Sequence, residues 1–311
     1  MLILIFLYSL FNIDIALGQS CDSIFENCGR SAQTTAKSLP SLGSAANFNP
    51  SNLAHINGLQ AEILYRSNNK IQFNLLTGSS EVGAGLISPQ AENAFFGNRS
   101  IELDQDATRR ITEDKSYESK KLQFATGFAL INTENFGLDL GASIRRNPDV
   151  KNFNLGAGTS IRMLFFNLGF HAYYDDVSLD FKNYINPVTN NSYSFDYNSP
   201  TYQEKFLVKT FSAGFSIDDF SFDAALINTH YDFYNSDTAI MILSSSLHLD
   251  NFLLNIAYRS EDSDNLKTTE GRSKTDTFGS LQYSWGSNIK LGVIYNNYLQ
   301  KDITAQLIIS F

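Results

Sequence analysis

The stretch Asp302-Ile-Thr-Ala-Gln-Leu-Ile-Ile-Ser-Phe311 decides how the rest of the sequence is read. Ile303, Ala305, Leu307, Ile309 and Phe311 fall on one face of a strand. Thr304, Gln306 and Ser310 fall on the other, with Ile308 as the one apolar intruder. A period of two with one apolar face marks a half-buried strand. An unpaired strand of this kind invites aggregation. A closed barrel removes the edge by pairing the last strand with the first.

The same rhythm runs upstream from about residue 57. Ile71, Phe73 and Leu75 share a face, as do Leu138, Leu140, Ala142 and Ile144. Phe166, Leu168, Phe170 and Ala172 alternate with Asn167, Gly169, His171 and Tyr173. Phe252, Leu254, Ile256 and Tyr258 alternate with Asn255, Ala257 and Arg259. About fourteen such stretches are expected, an even number as bacterial barrels require. Short connections near Gly78, Asn135, Leu164, Asp218, Asp250 and Ser287 alternate with longer ones, the longest expected at 89–118, 175–204 and 260–273. All short connections then lie at one end, as in transmembrane barrels.

One face of nearly every stretch is Leu, Phe, Ile and Ala, and the other is mostly Gly, Ser and Asn. A soluble sandwich or lipocalin-like barrel would turn the apolar face inward. Small and polar residues on the second face suit a crowded or wet lumen, so the apolar face is expected to meet lipid. Tyr65, Tyr173, Tyr174, Tyr258, Trp285, Tyr295, Phe220, Phe252 and Phe311 near strand ends predict two interfacial girdles. The fold expected is all-β, a transmembrane antiparallel β-barrel with an N-terminal plug segment. Of the 311 residues, 18% are charged and 13% aromatic, with 25 Phe, 15 Tyr and one Trp. After the N-terminus no run of about 18 apolar residues occurs, which speaks against a helical membrane protein. A net charge of −9 argues against nucleic acid as a partner.

Residues 1–18 read as a signal peptide, apolar from Leu2 to Leu10 with Ala16-Leu-Gly18 as the cleavage site. No Lys or Arg precedes the apolar run and Asp14 interrupts it, so a buried N-terminal helix is the alternative. Cys21 and Cys28 follow. In an oxidising compartment they are expected to form a disulfide; acylation of Cys21 and metal binding are the rivals. Residues 19–56 have mixed polarity, with Leu39, Leu42, Phe48 and Leu53 among Ser, Ala and Asn. That mixture suits a segment folded inside a lumen, with a loose periplasmic tail as the alternative. The barrel itself is expected over 57–311.

Charges on the inward face are Glu62, Asp139, Arg145, Arg162, Asp223, Arg259 and Lys290. They read as a polar constriction or a docking surface for the inner segment, or as ordinary lumen solvation. Wedged between wall and plug, such charges must pair. His55, His171, His230 and His248 stand in no metal-binding pattern, so no metal and no cofactor are expected. Ser244, Ser246 and His248 lie close in sequence, yet no nucleophile elbow and no third group accompany them. No catalytic residue is assigned and an enzyme is not expected. The acidic patch Glu102, Asp104, Asp106, Glu113 and Asp114 reads as a solvated loop or as a lipopolysaccharide-facing cation site.

Ser44-Ala-Ala-Asn-Phe-Asn-Pro-Ser-Asn-Leu-Ala54, ahead of the first strand, resembles the N-terminal segment of the outer-membrane long-chain fatty acid transporter (FadL) family. Asn49 and Pro50 match its Asn-Pro pair and Leu53 its apolar position; Ser51 departs from the usual Ala. The strand ending in Phe311 resembles the assembly signal of bacterial outer-membrane barrels. The resemblance implies a plugged fourteen-stranded barrel in the bacterial outer membrane, among lipid and lipopolysaccharide. It implies passive uptake of hydrophobic, fatty-acid-like small molecules. A non-transporting structural or docking barrel and a general diffusion pore are the alternatives.

Overall fold

Backbone amides and carbonyls in an apolar surrounding need partners within the protein, and here neighbouring strands supply them. In the computed structural model fourteen antiparallel strands close on themselves. They are β1 (Asn57–Arg66), β2 (Ile71–Ser79), β3 (Val82–Ile87), β4 (Leu122–Asn132), β5 (Phe136–Asn147), β6 (Asn152–Met163) and β7 (Phe166–Phe181). The second half supplies β8 (Thr201–Ile217), β9 (Phe220–Tyr231), β10 (Ser236–Leu249), β11 (Phe252–Ser263), β12 (Thr275–Trp285), β13 (Ile289–Asn296) and β14 (Asp302–Ser310). The structure describes residues 46, 49–66, 71–79, 81–88, 102–103, 111–114, 122–133, 135–147, 152–181, 184–185, 192–193, 201–217, 219–231, 236–263, 266–267, 275–296 and 302–311. The expected signal peptide 1–18 and the Cys21–Cys28 pair lie outside the described residues.

The seam is formed by the C-terminal stretch Asp302–Phe311. β14 pairs with β1 from Ser310 opposite Gln60 to Thr304 opposite Arg66. Phe311 adds its own backbone pair, donating to Leu59 O at 2.8 Å and accepting from Leu59 N at 3.4 Å. Six short turns, β2–β3, β4–β5, β6–β7, β8–β9, β10–β11 and β12–β13, gather at one end with Phe311.

Which face looks out is decided by neighbours in one strand. On β6, Leu155 is 62% exposed and Asn154 only 1%. Ile71, Phe73, Phe211, Ile256, Val293 and Ile303 are likewise exposed, while Gln72, Asn74, Ser212, Asn255 and Thr304 are buried. An apolar surface running round the whole circumference is foreign to a water-soluble monomer. It fits hydrocarbon.

One expected loop is shorter than the alternation suggested. The connection read as 175–204 begins with paired backbone, because β7 and β8 stay in register from Phe166 opposite Phe215 to Asp180 opposite Thr201. Ladder pairing uses backbone groups, so it continues where no apolar row is needed. Short strands also occur in the long connections: Glu102–Leu103 pairs with Leu266–Lys267, Tyr184–Ile185 with Ser192–Tyr193, and Ile111–Asp114 joins the upper edge of β7. Of the acidic patch, only these backbone positions at Glu102, Glu113 and Asp114 are described. β3 has six residues and meets β2 only between Leu75–Leu86 and Gly78–Gly83.

Candidate functional site

Pro50–His55 forms a 3-10 helix lying inside the barrel, and every residue in it is buried. Its start follows from the Asn-Pro pair. Asn49 is the N-cap: its Oδ1 accepts from Ser51 N at 3.1 Å and from Ser51 Oγ at 2.8 Å. Pro50 fills the first helical position, where the missing N–H costs nothing. With three residues per turn the sequence sorts into rows. Pro50, Leu53 and Ile56 form an apolar row, and Asn49, Asn52 and His55 a polar one. Leu53 clusters with Ala46, Leu76, Ile87 and Ala125, and Ile56 packs against that cluster.

The wall is shaped to receive this segment. A Cβ on Gly141 would strike the Ser51 and Pro50 backbone, and one on Gly83 would strike Leu53 O. Gly127 meets Pro50 O and Ala54 N in the same way, and Gly158 meets the Asn49 side chain. Four strands, β3 to β6, thus give up side chains where the helix rests.

Polar contacts complete the seat. Asn49 Nδ2 donates to Thr159 O at 3.0 Å, and Ser51 Oγ lies 3.0 Å from Ser160 Oγ. Asp139, fully buried, gathers the rest. Its Oδ1 lies 2.9 Å from His55 Nε2, its Oδ2 accepts from Ser160 Oγ at 3.1 Å, and Arg162 Nε stands 3.8 Å away. One carboxylate therefore ties β5, β6 and the inner helix together. Arg162 also donates to Asn132 Oδ1 at 2.8 Å.

On the same side, toward the long loops, Arg145 donates to Asp175 Oδ2 at 2.7 Å and to Gln123 Oε1 at 2.9 Å. Its guanidinium lies 4.5 Å from the Tyr173 ring centroid, and Tyr173 stacks on His171 at 4.8 Å. At the seam Glu62 anchors a ladder of amides. Asn74 Nδ2 donates to Glu62 Oε2 at 2.7 Å, Gln306 Nε2 to Glu62 Oε1 at 2.6 Å, and Gln282 Nε2 to Gln306 Oε1 at 2.6 Å. Asp223 and Arg259 are buried on the far wall, and Lys290 is half-buried there. Ser246 Oγ is hydrogen-bonded to Ser221 Oγ, and His248 Nδ1 lies 3.8 Å from Asp219. His230 is exposed. Among the described residues no group of three or more His, Cys, Asp or Glu could hold a metal ion.

The far wall has a feature that the outward rows concealed. Leu64, Ala225, Ile240, Ile242, Ala257 and Ile294 point inward and form one buried apolar cluster, with Ile227 packed against it. Polar inward residues lie nearer the short turns in four of these strands, with Glu62 below Leu64, Asp223 below Ala225, Ser244 below Ile242 and Lys290 below Ile294, while buried Arg259 and Thr229 border the cluster on the side of the long loops. Phe206 and Val208 are buried on the inner side of β8. The signal was present in Ala239-Ile-Met-Ile-Leu243 and Val293-Ile294, where alternation gives way to apolar residues on both faces.

Several solved structures are similar to the chain at low identity. The chain is similar to the P. putida toluene transporter TodX at 10% identity, covering 87% of this chain and 95% of that one, with a TM-score of 0.44. It is similar to the outer membrane channel DcaP of Acinetobacter baumannii at 10% identity, over 82% and 96% of the two chains, with a TM-score of 0.40. A mutant porin of Rh. blastica gives 10% identity, 82% and 99% coverage, and a TM-score of 0.41. No protein-family model and no curated protein matches the sequence. Identities at this level leave each functional residue to be read from this chain itself.

Proposed function

We propose that this chain is a bacterial outer-membrane barrel for passive uptake of hydrophobic, fatty-acid-like small molecules through a plugged lumen. In this reading residues 1–18 are a signal peptide, 19–56 the plug and 57–311 the barrel. Asn49, Pro50 and Leu53 are the plug residues that seat it. Its surroundings are outer-membrane lipid and lipopolysaccharide.

The observation that carries the reading is the inward apolar cluster on β1, β9–β11 and β13. A water-filled pore gains nothing from Ile and Leu on its wall, because wetting them costs about 25 cal/mol per Å². An apolar ligand does gain from them. The inner wall speaks against a resting diffusion pore for a second reason: Glu62, Asp139, Asp223 and Arg259 are at most 1% exposed. A continuous water path would wet such groups.

Release then requires a shift of residues 49–55 off their glycine seat. Toward the long loops, Ile71–Asn74 of β2 extend past the end of β3. This shortened third strand is the proposed place for an exit sideways into lipid. A non-transporting docking barrel is the runner-up, since it too would have a filled interior.

Organic extraction and mass analysis of the purified protein test the proposal. An apolar molecule should co-purify with the wild type and be depleted when Ile242 and Ile294 are both changed to Asn. Steady conductance of the wild type in planar bilayers would instead favour the diffusion pore. Silence together with an empty extract would leave the docking barrel.

A further inference from the structure

Five of the six turns at the short-turn end carry polar residues, such as Glu81, Thr133, Asp219, Asp250 with Asn251, and Ser287 with Asn288. The β6–β7 turn is the exception. It is Leu164-Phe165, flanked by Met163 and Phe166, and all four side chains are exposed. Leu164 has φ of 53° and is 65% exposed. Asp250 takes the same left-handed backbone at φ 48°, and Gly286 at 65°. Asp and Gly suit that conformation; for a bulky residue such as Leu it costs about 1 kcal/mol or more. Water offers no return for exposing Leu there.

The surroundings point the same way. Near this turn the exposed large apolar residues are Phe136, Phe166, Ile217 and Phe220, none with a polar handle. Across the barrel the same end shows Trp285 and Tyr283, residues that favour the wet boundary of a membrane. The apolar turn is continuous with the outward rows through Phe166, Phe170 and Phe211. The same side carries the longest strands, β7 with 16 residues and β8 with 17, against 8 and 9 in β13 and β14. About 9–11 residues cross a bilayer. The extra residues of β7 and β8 lie toward the long loops, so on that side the apolar outward rows begin at the turn itself.

We propose that the barrel sits tilted, with the Leu164–Phe165 turn inserted among the acyl chains of the leaflet at the short-turn end. The partner is the lipid itself. The proposal rests on the membrane-spanning reading of the barrel. Insertion compensates the strained Leu164 backbone, because it removes two large apolar side chains from water.

The single tryptophan supplies the test. Full-length protein is reconstituted in phosphatidylcholine vesicles whose acyl chains carry bromine at defined depths. Native Trp285 reports the boundary, and W285F/F165W and W285F/L164W report the turn. The turn tryptophans should be quenched several-fold more by mid-chain bromine than Trp285, and should resist aqueous iodide. Quenching of both turn variants by iodide, with none by bromolipid, would overturn the inserted turn while native Trp285 still responds to bromolipid. Shielding from both quenchers would also overturn it, and would assign the turn to a protein contact such as a second copy. Failure of native Trp285 to sense any brominated lipid would instead overturn the membrane reading beneath it.

Discussion

The two sides of the lumen obey one outward rule and opposite inward rules. On both, Leu, Ile and Phe face out. On β3–β6 the inward positions shrink to Gly83, Gly127, Gly141 and Gly158, and backbone of the inner helix fills the space. On β9–β11, β13 and β1 they grow to Ile240, Ile242, Ile294 and Leu64 and cluster with each other. Lipid dictates the first rule everywhere. The second is set by what each wall must hold: a polar, capped segment on one side and an apolar surface on the other. Contacts to the helix are directional, through Asp139, Ser160 and Thr159. The opposite cluster is non-directional, because apolar contacts fix no donor–acceptor geometry.

The sharpest way to break this contrast is to fill the seat. Gly141→Val should expel residues 49–55, because the added carbons meet the Ser51 backbone, which cannot move aside as a flexible side chain can. A cost of about 3 kcal/mol is expected for such overpacking. That is roughly a hundredfold shift in the seated population, read as the onset of conductance in planar bilayers. On the other wall, Ile242→Ala should weaken retention of an apolar ligand about tenfold without opening conductance, checked by titration with a fluorescent fatty acid. If it opens conductance instead, the two walls are not separate devices.

Asp139→Asn keeps the shape and removes the charge that faces His55, Ser160 and Arg162. A loss of about 1–3 kcal/mol is expected, visible as brief openings in bilayers and faster protease cleavage within 49–56. The smallest effect is expected for Glu62→Gln. One of its two amide donors, on Asn74 or Gln306, must then face an NH₂ group. About 1 kcal/mol is expected, seen as a few degrees in the heat-induced gel shift, with conductance unchanged.

Much of the barrel was legible because lipid imposes a strict period. Leu155 with Asn154, or Phe170 with His171, states in two letters which way the strand faces. The seam at Phe311 could be read for the same reason. The upper part of the β7–β8 hairpin was not legible, since Asp175, Asp176 and Ser178 carry no apolar row although their backbone still pairs. At the site, Asn49-Pro50 opens the 3-10 helix, and its three-residue period could have shown the polar row reaching His55. The inward apolar cluster escaped because Leu64 and Ile294 each look like a single exception within their own strands. Only neighbouring strands, brought side by side, turn such exceptions into a surface. The tie between His55 and Asp139 spans 84 positions, and no spacing rule links them.

The sequence by itself determined the strands, their outward faces and the need to close, because a backbone in lipid has few ways to satisfy its hydrogen bonds. It also determined where the 3-10 helix begins, since capping by Asn49 and the fixed φ of Pro50 act locally. Tertiary structure alone decided which glycines lie beneath that helix, which carboxylate ties it down, and which inward isoleucines meet. Those outcomes depend on strand register and barrel closure, which bring residues far apart in the chain to the same height on the wall.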